Sequence, residues 1–293
     1  MREDSPVKNS STSDEYLMES EDENIRLDIK TDPQALRRQA LWCGVKPGMR
    51  VLDAGCGPGI TTKLIEEMIQ PKGTIVGLDY SPRRIEYADK HYKTGESIGF
   101  HLHDLRNPIE NFGKFDLIWV RFVLEYHRNG AKQIVKNLIS CLKPGGHLCL
   151  LDLDYNCLNY YELPEPMAAI LPRIMNFIDE QYNFDTFVGR KLYSFLYDNG
   201  FKNIEVELMA HNLIYGEIKD KDKFNLIKKI EMSEKKVESL IESYPGGYKQ
   251  FKTDLIKYLT DPRIFTYTPL LLCKGEKPLS CGSAIENTSN TEK

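Results

Sequence analysis

The stretch "VLDAGCGPGITTKL", residues 51–64, joins a short apolar strand to a helix-forming run through glycines at every second position, Gly55, Gly57 and Gly59. Removing side chains at such a bend lets the backbone turn tightly and lets a ligand approach it closely. The helix expected from about Ile60 adds unpaired N–H groups at the same place. In an open α/β sheet, a bend of this kind at the carboxyl end of a strand is where a small molecule sits. A dinucleotide fingerprint would need a third glycine at position 60, where Ile60 stands, and a phosphate loop would end in Gly-Lys-Ser/Thr, which is absent. Asp53, two residues before Gly55, would repel a phosphate and suits a ligand carrying an ammonium group.

On both sides of this stretch, apolar runs alternate with helical patterns. The runs predict strands at 49–54, 74–79, 98–103, 115–120, 147–152, 204–210 and 264–273, several of them continuously apolar, as in strands covered on both faces. Helices are predicted at 59–69, 82–92, 130–142, 166–181 and 189–199. The alternation predicts an α/β fold, a doubly wound Rossmann-like seven-stranded sheet, mostly parallel with an antiparallel last strand, plus helical caps. "KPGG" at 143–146 is expected to end a helix and turn into a strand, and Ser81 before Pro82 to cap the helix that follows.

The expected organisation is a single domain over 15–275, with N-terminal cap helices at 15–44, a core at 45–210, a helical insertion at 211–262 and a last strand at 263–275. Residues 1–14 and 276–293 are polar and are expected to be disordered tails. The lysine-rich run within 217–242 is expected to be a solvated helix face with opposite charges at helical spacing.

The chain of 293 residues carries a net charge of −4, which argues against a nucleic-acid partner. Seven scattered cysteines without a CxxC pair argue against a disulfide framework or a zinc site, so no metal is expected. No apolar run is long enough for a membrane span, and the first residues lack the apolar core of a signal peptide. These features together predict a cytoplasmic protein; a homodimer is compatible with them.

"VLDAGCGPG" resembles the first motif of the class I S-adenosylmethionine-dependent methyltransferases of the small-molecule type. The resemblance extends over about residues 45–210, with further motifs in family order. "IVGLDYSPRRIEYA" is similar to the second motif, which implies that Asp79, with Tyr80 beside it, binds both ribose hydroxyls of the cofactor. "FHLHDLRN" resembles the third, which implies that Asp104 meets the adenine amino group and the Leu105 backbone lies beside the ring. "YLMESEDENIRLDIKTDP" resembles a lead-in segment in which a tyrosine and an arginine close over the cofactor, here Tyr16 and Arg26. Arg26 would pair with the cofactor's carboxylate or, on an exposed helix, with Glu23 or Asp22; the sequence leaves both open.

The resemblance implies S-adenosyl-L-methionine as cofactor and methyl transfer to a small-molecule acceptor in a capped pocket. An RNA or protein acceptor and a non-catalytic cofactor-binding role are the alternatives. In-line displacement from a sulfonium depends chiefly on alignment, and a base is needed only where the acceptor must lose a proton. Candidates follow the fourth and fifth strands. Arg121 lies near the cofactor's methionine part or pairs with Glu125. His127 is a candidate base or a surface residue, and Asp154 is a hydroxyl partner or part of a polar loop with Asp152, Tyr155, Asn156, Tyr160 and Tyr161.

Overall fold

The computed structural model describes residues 23–155 and 162–279. Tyr16, Asn156, Tyr160 and Tyr161 lie outside the described residues, as do most of the two terminal stretches. The elements run α1 (Glu23–Lys30), α2 (Pro33–Trp42), β1 (Arg50–Ala54), α3 (Ile60–Met68), β2 (Thr74–Asp79), α4 (Pro82–Tyr92) and β3 (Ile98–Leu102). They continue with β4 (Phe115–Arg121), α5 (Ala131–Ser140), β5 (Leu142–Leu153), α6 (Met167–Gln181), α7 (Leu192–Asp198), β6 (Lys202–Tyr215), α8 (Asp220–Ile241), α9 (Gly247–Leu259) and β7 (Phe265–Glu276).

The seven strands form one sheet in the order β3-β2-β1-β4-β5-β7-β6. β1 to β5 pair in parallel, and β7 lies antiparallel between β5 and β6. Because side chains alternate along a strand, neighbouring residues enter opposite layers. Leu52 and Ile118 pack with Ile134 of α5 and Leu196 of α7. Val51 and Leu117 face the other way, onto Leu36 of α2, Ile65 of α3 and Ala88 of α4. Five cysteines of the described residues, Cys43, Cys56, Cys141, Cys149 and Cys273, are buried in this core as free thiols.

Local chemistry sets the helix starts. Pro33 opens α2, and the Asp32 carboxylate accepts the N–H groups of Gln34 and Ala35 at 2.9 and 3.2 Å. Pro82 likewise opens α4, but Ser81 makes no side-chain cap bond; the Asp79 carboxylate takes the Ser81 N–H instead, at 2.9 Å. "KPGG" does not break β5. Its residues run within the strand, with a register shift against β4, and Lys143 is held to Asp116 at 2.6 Å.

A third apolar cluster lies apart from the sheet. Ile170 and Ile174 of α6 pack with Val237 and Ile241 of α8 and with Phe251 and Leu255 of α9. The helix expected in the core at 166–181 therefore belongs with the cap helices, and the strand expected to stop at 210 continues to Tyr215. Among the described residues, no helix is long and apolar enough to cross a membrane.

Candidate active site

Strand order reverses between β1 and β4, so their carboxyl ends open a crevice where chain leaves the sheet in opposite directions. The glycine bend fills one side of it. Gly55 and Cys56 donate to the Leu78 carbonyl at 2.8 and 2.9 Å, which ties the bend to the end of β2. Gly57 donates its N–H to the Asp79 carboxylate at 2.9 Å. With Ser81 on its other oxygen and Arg84 at 4.0 Å, Asp79 is buried and fixes the bend against the neighbouring strand.

Two of the glycines do different work. Gly57 has φ +55°, and a Cβ built there would meet no protein atom within 4 Å. Gly59 has φ +97°, and a Cβ there would lie 2.8 Å from Ala88 Cβ and 3.0 Å from the Phe100 ring. Gly59 thus serves the packing of α3 on the sheet, while Gly57 leaves open space beside bare backbone, the requirement for close ligand approach.

The bend opens into a cavity of about 290 Å³, near the lower end of the usual range for ligand pockets. Arg26, Gly55, Gly57 and Arg121 line it, as do Phe122, Glu125 and the inner faces of α6, α8 and α9. Helices α1, α6, α8 and α9 thus stand over the carboxyl edge of β1 and β4. Arg26 is buried and donates to the Asn225 side chain of α8, which gives it a partner from the cap.

The other motif residues stand around the cavity rather than in its wall. Asp79 closes β2, with Tyr80, more than a third exposed, beside it. Asp104 lies beyond β3 and chelates Arg106, its carboxylate 2.7 Å from the guanidinium. Against the upward push of partial burial, those hydrogen bonds hold Asp104 below the ordinary carboxylate range. Leu105 is buried, and its carbonyl accepts from Asn137 at 2.9 Å.

Asp53 does not offer its charge to a ligand at the cavity wall. It is buried, accepts the Thr62 hydroxyl at 2.6 Å, and is pushed up to about 7 by that burial, with Thr62 and Arg121 opposing. Its place is to hold α3 and attract Arg121. Arg121 is itself lowered by burial to about 10, donates to Gln39 at 3.1 Å, and stacks 4.0 Å from the centre of the Phe122 ring.

Neither candidate for the proton-handling role lines the cavity. Asp154 is gripped by Arg190 through contacts of 2.9 to 3.2 Å, on the chain just before α7. His127 ends the 3₁₀ turn Leu124–Tyr126, where burial, with Arg106 adding to it, pushes its imidazole down to about 4. Asp152, at the end of β5, accepts the Leu124 and Glu125 N–H groups at 2.9 and 3.2 Å and thereby sets that turn.

The structure adds a cluster that no motif marks. Phe122 follows β4 with φ +57°, an uncommon state for a bulky residue and one that gathers at functional sites. Lys30 of α1 reaches within 5.7 Å of its ring centre, and the His211 ring of β6 within 5.1 Å. Burial, then Lys229, Arg26 and Arg121, lower Lys30 to about 7, with Glu125 opposing. Burial raises the Glu125 carboxyl, and Lys229 and Lys30 pull it back. His211 is held well below its ordinary value by burial and by the same cations, and its Nε2 is buried with no hydrogen-bond partner. Lys229 belongs to the lysine-rich run expected to face solvent, yet it lines the cavity. The outward lysines of the run do pair as expected, Lys228 with Glu231 at 3.6 Å.

Residues 51–146 match a family model described as a methyltransferase domain. The chain is similar to the juvenile hormone acid O-methyltransferase of Drosophila melanogaster, 27% identical over 56% of this chain and 58% of that protein. It spans about half the length of the curated relatives it matches. Among solved structures, the YcgJ protein of Bacillus subtilis is similar over 84% of this chain and 99% of that one, at 16% identity and a TM-score of 0.55. The phosphoethanolamine N-methyltransferase 2 of Haemonchus contortus, solved with S-adenosylhomocysteine, covers 84% of this chain and 52% of its own at 17% identity, with a TM-score of 0.52.

Proposed function

We propose that this chain is a class I S-adenosylmethionine-dependent methyltransferase, a reading that its domain match and its fold support, and that it transfers a methyl group from that cofactor to a small acceptor beneath the helical cap. When bound, S-adenosylmethionine supplies a methyl already activated by its sulfonium. The observation that carries the reading is the open, side-chain-free face of Gly57, fixed to Asp79 and leading into the covered cavity.

The residues present fit such a cofactor. Gly57 gives the nucleoside a bare backbone to approach, and Asp79, Tyr80 and Asp104 stand at successive strand ends on the side where sugar and base would lie. Arg26 would pair with the amino-acid carboxylate. Asp53 and Gln39 would act through Arg121, which they hold at the rim of the bend. α1, α6, α8 and α9 would exclude water and fix the acceptor, and alignment of this kind supplies much of the barrier reduction in a displacement. The helices over the cavity favour a small acceptor over a polymer. Buried free thiols suit a reducing compartment, and on that ground the cytoplasm is our assignment.

Calorimetric titration with S-adenosylhomocysteine tests the cofactor half, and incubation with methyl-labelled S-adenosylmethionine and small-molecule extracts tests the transfer. Saturable binding and a labelled low-molecular-weight product are expected. Absence of binding, or label recovered only in protein or RNA, would overturn the proposal.

A further inference from the structure

The proton-handling role that His127 and Asp154 leave open has another claimant in the cavity wall. Lys30, in the last turn of α1, lines the cavity with Arg26, Phe122 and Glu125. Its side-chain nitrogen lies 5.7 Å from the centre of the Phe122 ring, on the residue that follows β4 where strand order reverses. Among the described residues, that nitrogen has neither a hydrogen bond nor an ion pair. Other cations of the lining are engaged: Arg26 with Asn225, Arg84 with Asp79 at 4.0 Å, and Arg121 with Gln39 at 3.1 Å.

The groups around this nitrogen come from four directions. Lys229 of α8, Arg26 of α1 and Arg121 of β4 each oppose a proton on Lys30, and Glu125, on the turn after β4, favours one. His211 of β6 lies 5.1 Å from the same Phe122 ring, and burial together with these cations keeps its own ring uncharged. Burial first, and then the three cations, lower Lys30 to about 7, so near neutral pH it offers a lone pair. A base serves best when its pKa lies near the working pH. The arginines cannot serve, because a guanidinium keeps its proton. Burial raises the Glu125 carboxyl, but Tyr126 bonds to it and the two lysines draw it back, so its lone pairs are already engaged.

We propose that Lys30 is the catalytic base of the transfer: its Nζ takes the proton from the acceptor's attacking oxygen or nitrogen as the new bond to carbon forms. This rests on the methyl-transfer reading above. A lone pair of the attacking atom forms the bond to the methyl carbon, and the pair of the broken S–C bond stays on sulfur. The pair of the broken O–H or N–H bond stays on the acceptor atom, and the proton passes to Lys30. The site loses the charge of a sulfonium and gains that of an ammonium, so the charge beneath the cap is the same before and after the step. A Lys30 charged from the outset would share the cavity with the sulfonium, and like charges under a cover that excludes water repel strongly. The acceptor this implies carries hydrogen on the atom that attacks; one already anionic would have no use for the base. Lys30 returns its proton to water once product has left.

Two measurements test the base. In the full chain without ligand, limiting acetic anhydride is applied from mildly acid to alkaline pH and each lysine is read by mass spectrometry. Lys30 should react with a midpoint of about 7, against the ordinary 10.5. In the transfer assay with methyl-labelled S-adenosylmethionine and small-molecule extracts, the rate should fall as pH drops below about 7, where the amine gains a proton. Lys30→Gln and Lys30→Arg should each lower the rate by about a hundredfold or more, while S-adenosylhomocysteine affinity stays within about threefold. Arginine keeps the charge over Phe122 but accepts no proton, so transfer retained in Lys30→Arg would show a positioning role and overturn the proposal. Glu125→Gln should keep transfer and move the acid limb to lower pH, because the carboxylate that favours a charged Lys30 is gone. Transfer lost in that variant but kept in Lys30→Gln would make Glu125 the base instead. A Lys30 midpoint near the ordinary value, or no reaction at its amine at any pH, would also overturn the assignment. Should label be transferred and survive Lys30→Gln, this inference alone falls; should the wild-type chain transfer no label, the methyl-transfer reading falls and the base falls with it.

Discussion

The glycine bend and the helical cap enclose one cavity by opposite means. The bend is held by short backbone hydrogen bonds between adjacent strands, Gly55 and Cys56 to Leu78 and Gly57 to Asp79, and its shape depends on missing side chains. The cap is held by apolar side chains of α6 and of the consecutive helices α8 and α9, with α7 and β6 lying between them in the chain. One wall is set locally, and at Gly55 and Gly59 it has no room for an added Cβ. The other is set by packing and can change its lining residue by residue. On the proposed function, the rigid wall would seat the cofactor and the packed wall the acceptor.

Substitutions can separate these two walls. Gly57→Val should have the largest effect, lowering S-adenosylhomocysteine affinity by about a hundredfold or more, because the side chain enters open ligand space. Val at φ +55° adds about 1–3 kcal/mol of backbone strain, and melting should fall by no more than that, since no protein atom lies within 4 Å of the new Cβ; collapse of the fold in this variant would show that the bend is structural instead. Ile241→Ala, in the fully buried heart of the cap, should cost about 2–5 kcal/mol in thermal or denaturant unfolding. Cofactor affinity should then remain near wild type, and a matching loss of it would refute the independence of the two walls. Asp79→Ala should cost about 1.5–3 kcal/mol of S-adenosylhomocysteine binding, the worth of hydrogen bonds to a charged group, read by calorimetry.

The smallest effect concerns pH. His127 faces Arg106 and Asp104, and its folded value of about 4 lies below the ordinary 6.5. The unfolded chain therefore binds the proton more readily. The neutral ring's contribution is fully present above pH 6.5 and is lost as pH falls toward 4. At about pH 5.5 the loss amounts to about 1 kcal/mol. His127→Gln should flatten the stability profile by that amount between neutral and mildly acidic pH, and an unchanged slope would show that His127 is not the source.

What was legible in the sequence follows the same division. The bend and Asp79 announce themselves because glycine spacing and a strand-ending acid are local features. The seven strands are legible because both faces of most of them are covered and their apolar runs are continuous. Lys30, Lys229 and His211 carry no local signal: each looks like an ordinary polar residue, and only the fold brings α1, α8 and β6 to the Phe122 ring. The grip of Arg190 on Asp154 carries no local signal either, because Arg190 stands in a separate element. The distance of Asp53 from Gly55 is visible in the sequence, while its bond to Thr62 and its burial are not.

β7 runs antiparallel between β5 and β6, and its first residue, Phe265, pairs with Tyr215, the last of β6. Residues 216–264, which hold α8 and α9, thus leave and return at two points about 5 Å apart. The lid is the loop of one oversized hairpin. Because both ends of this loop lie on one paired rung of the sheet, the proposed function implies that a different pair of helices grafted between the same two residues would change the acceptor and leave the cofactor's seat in place.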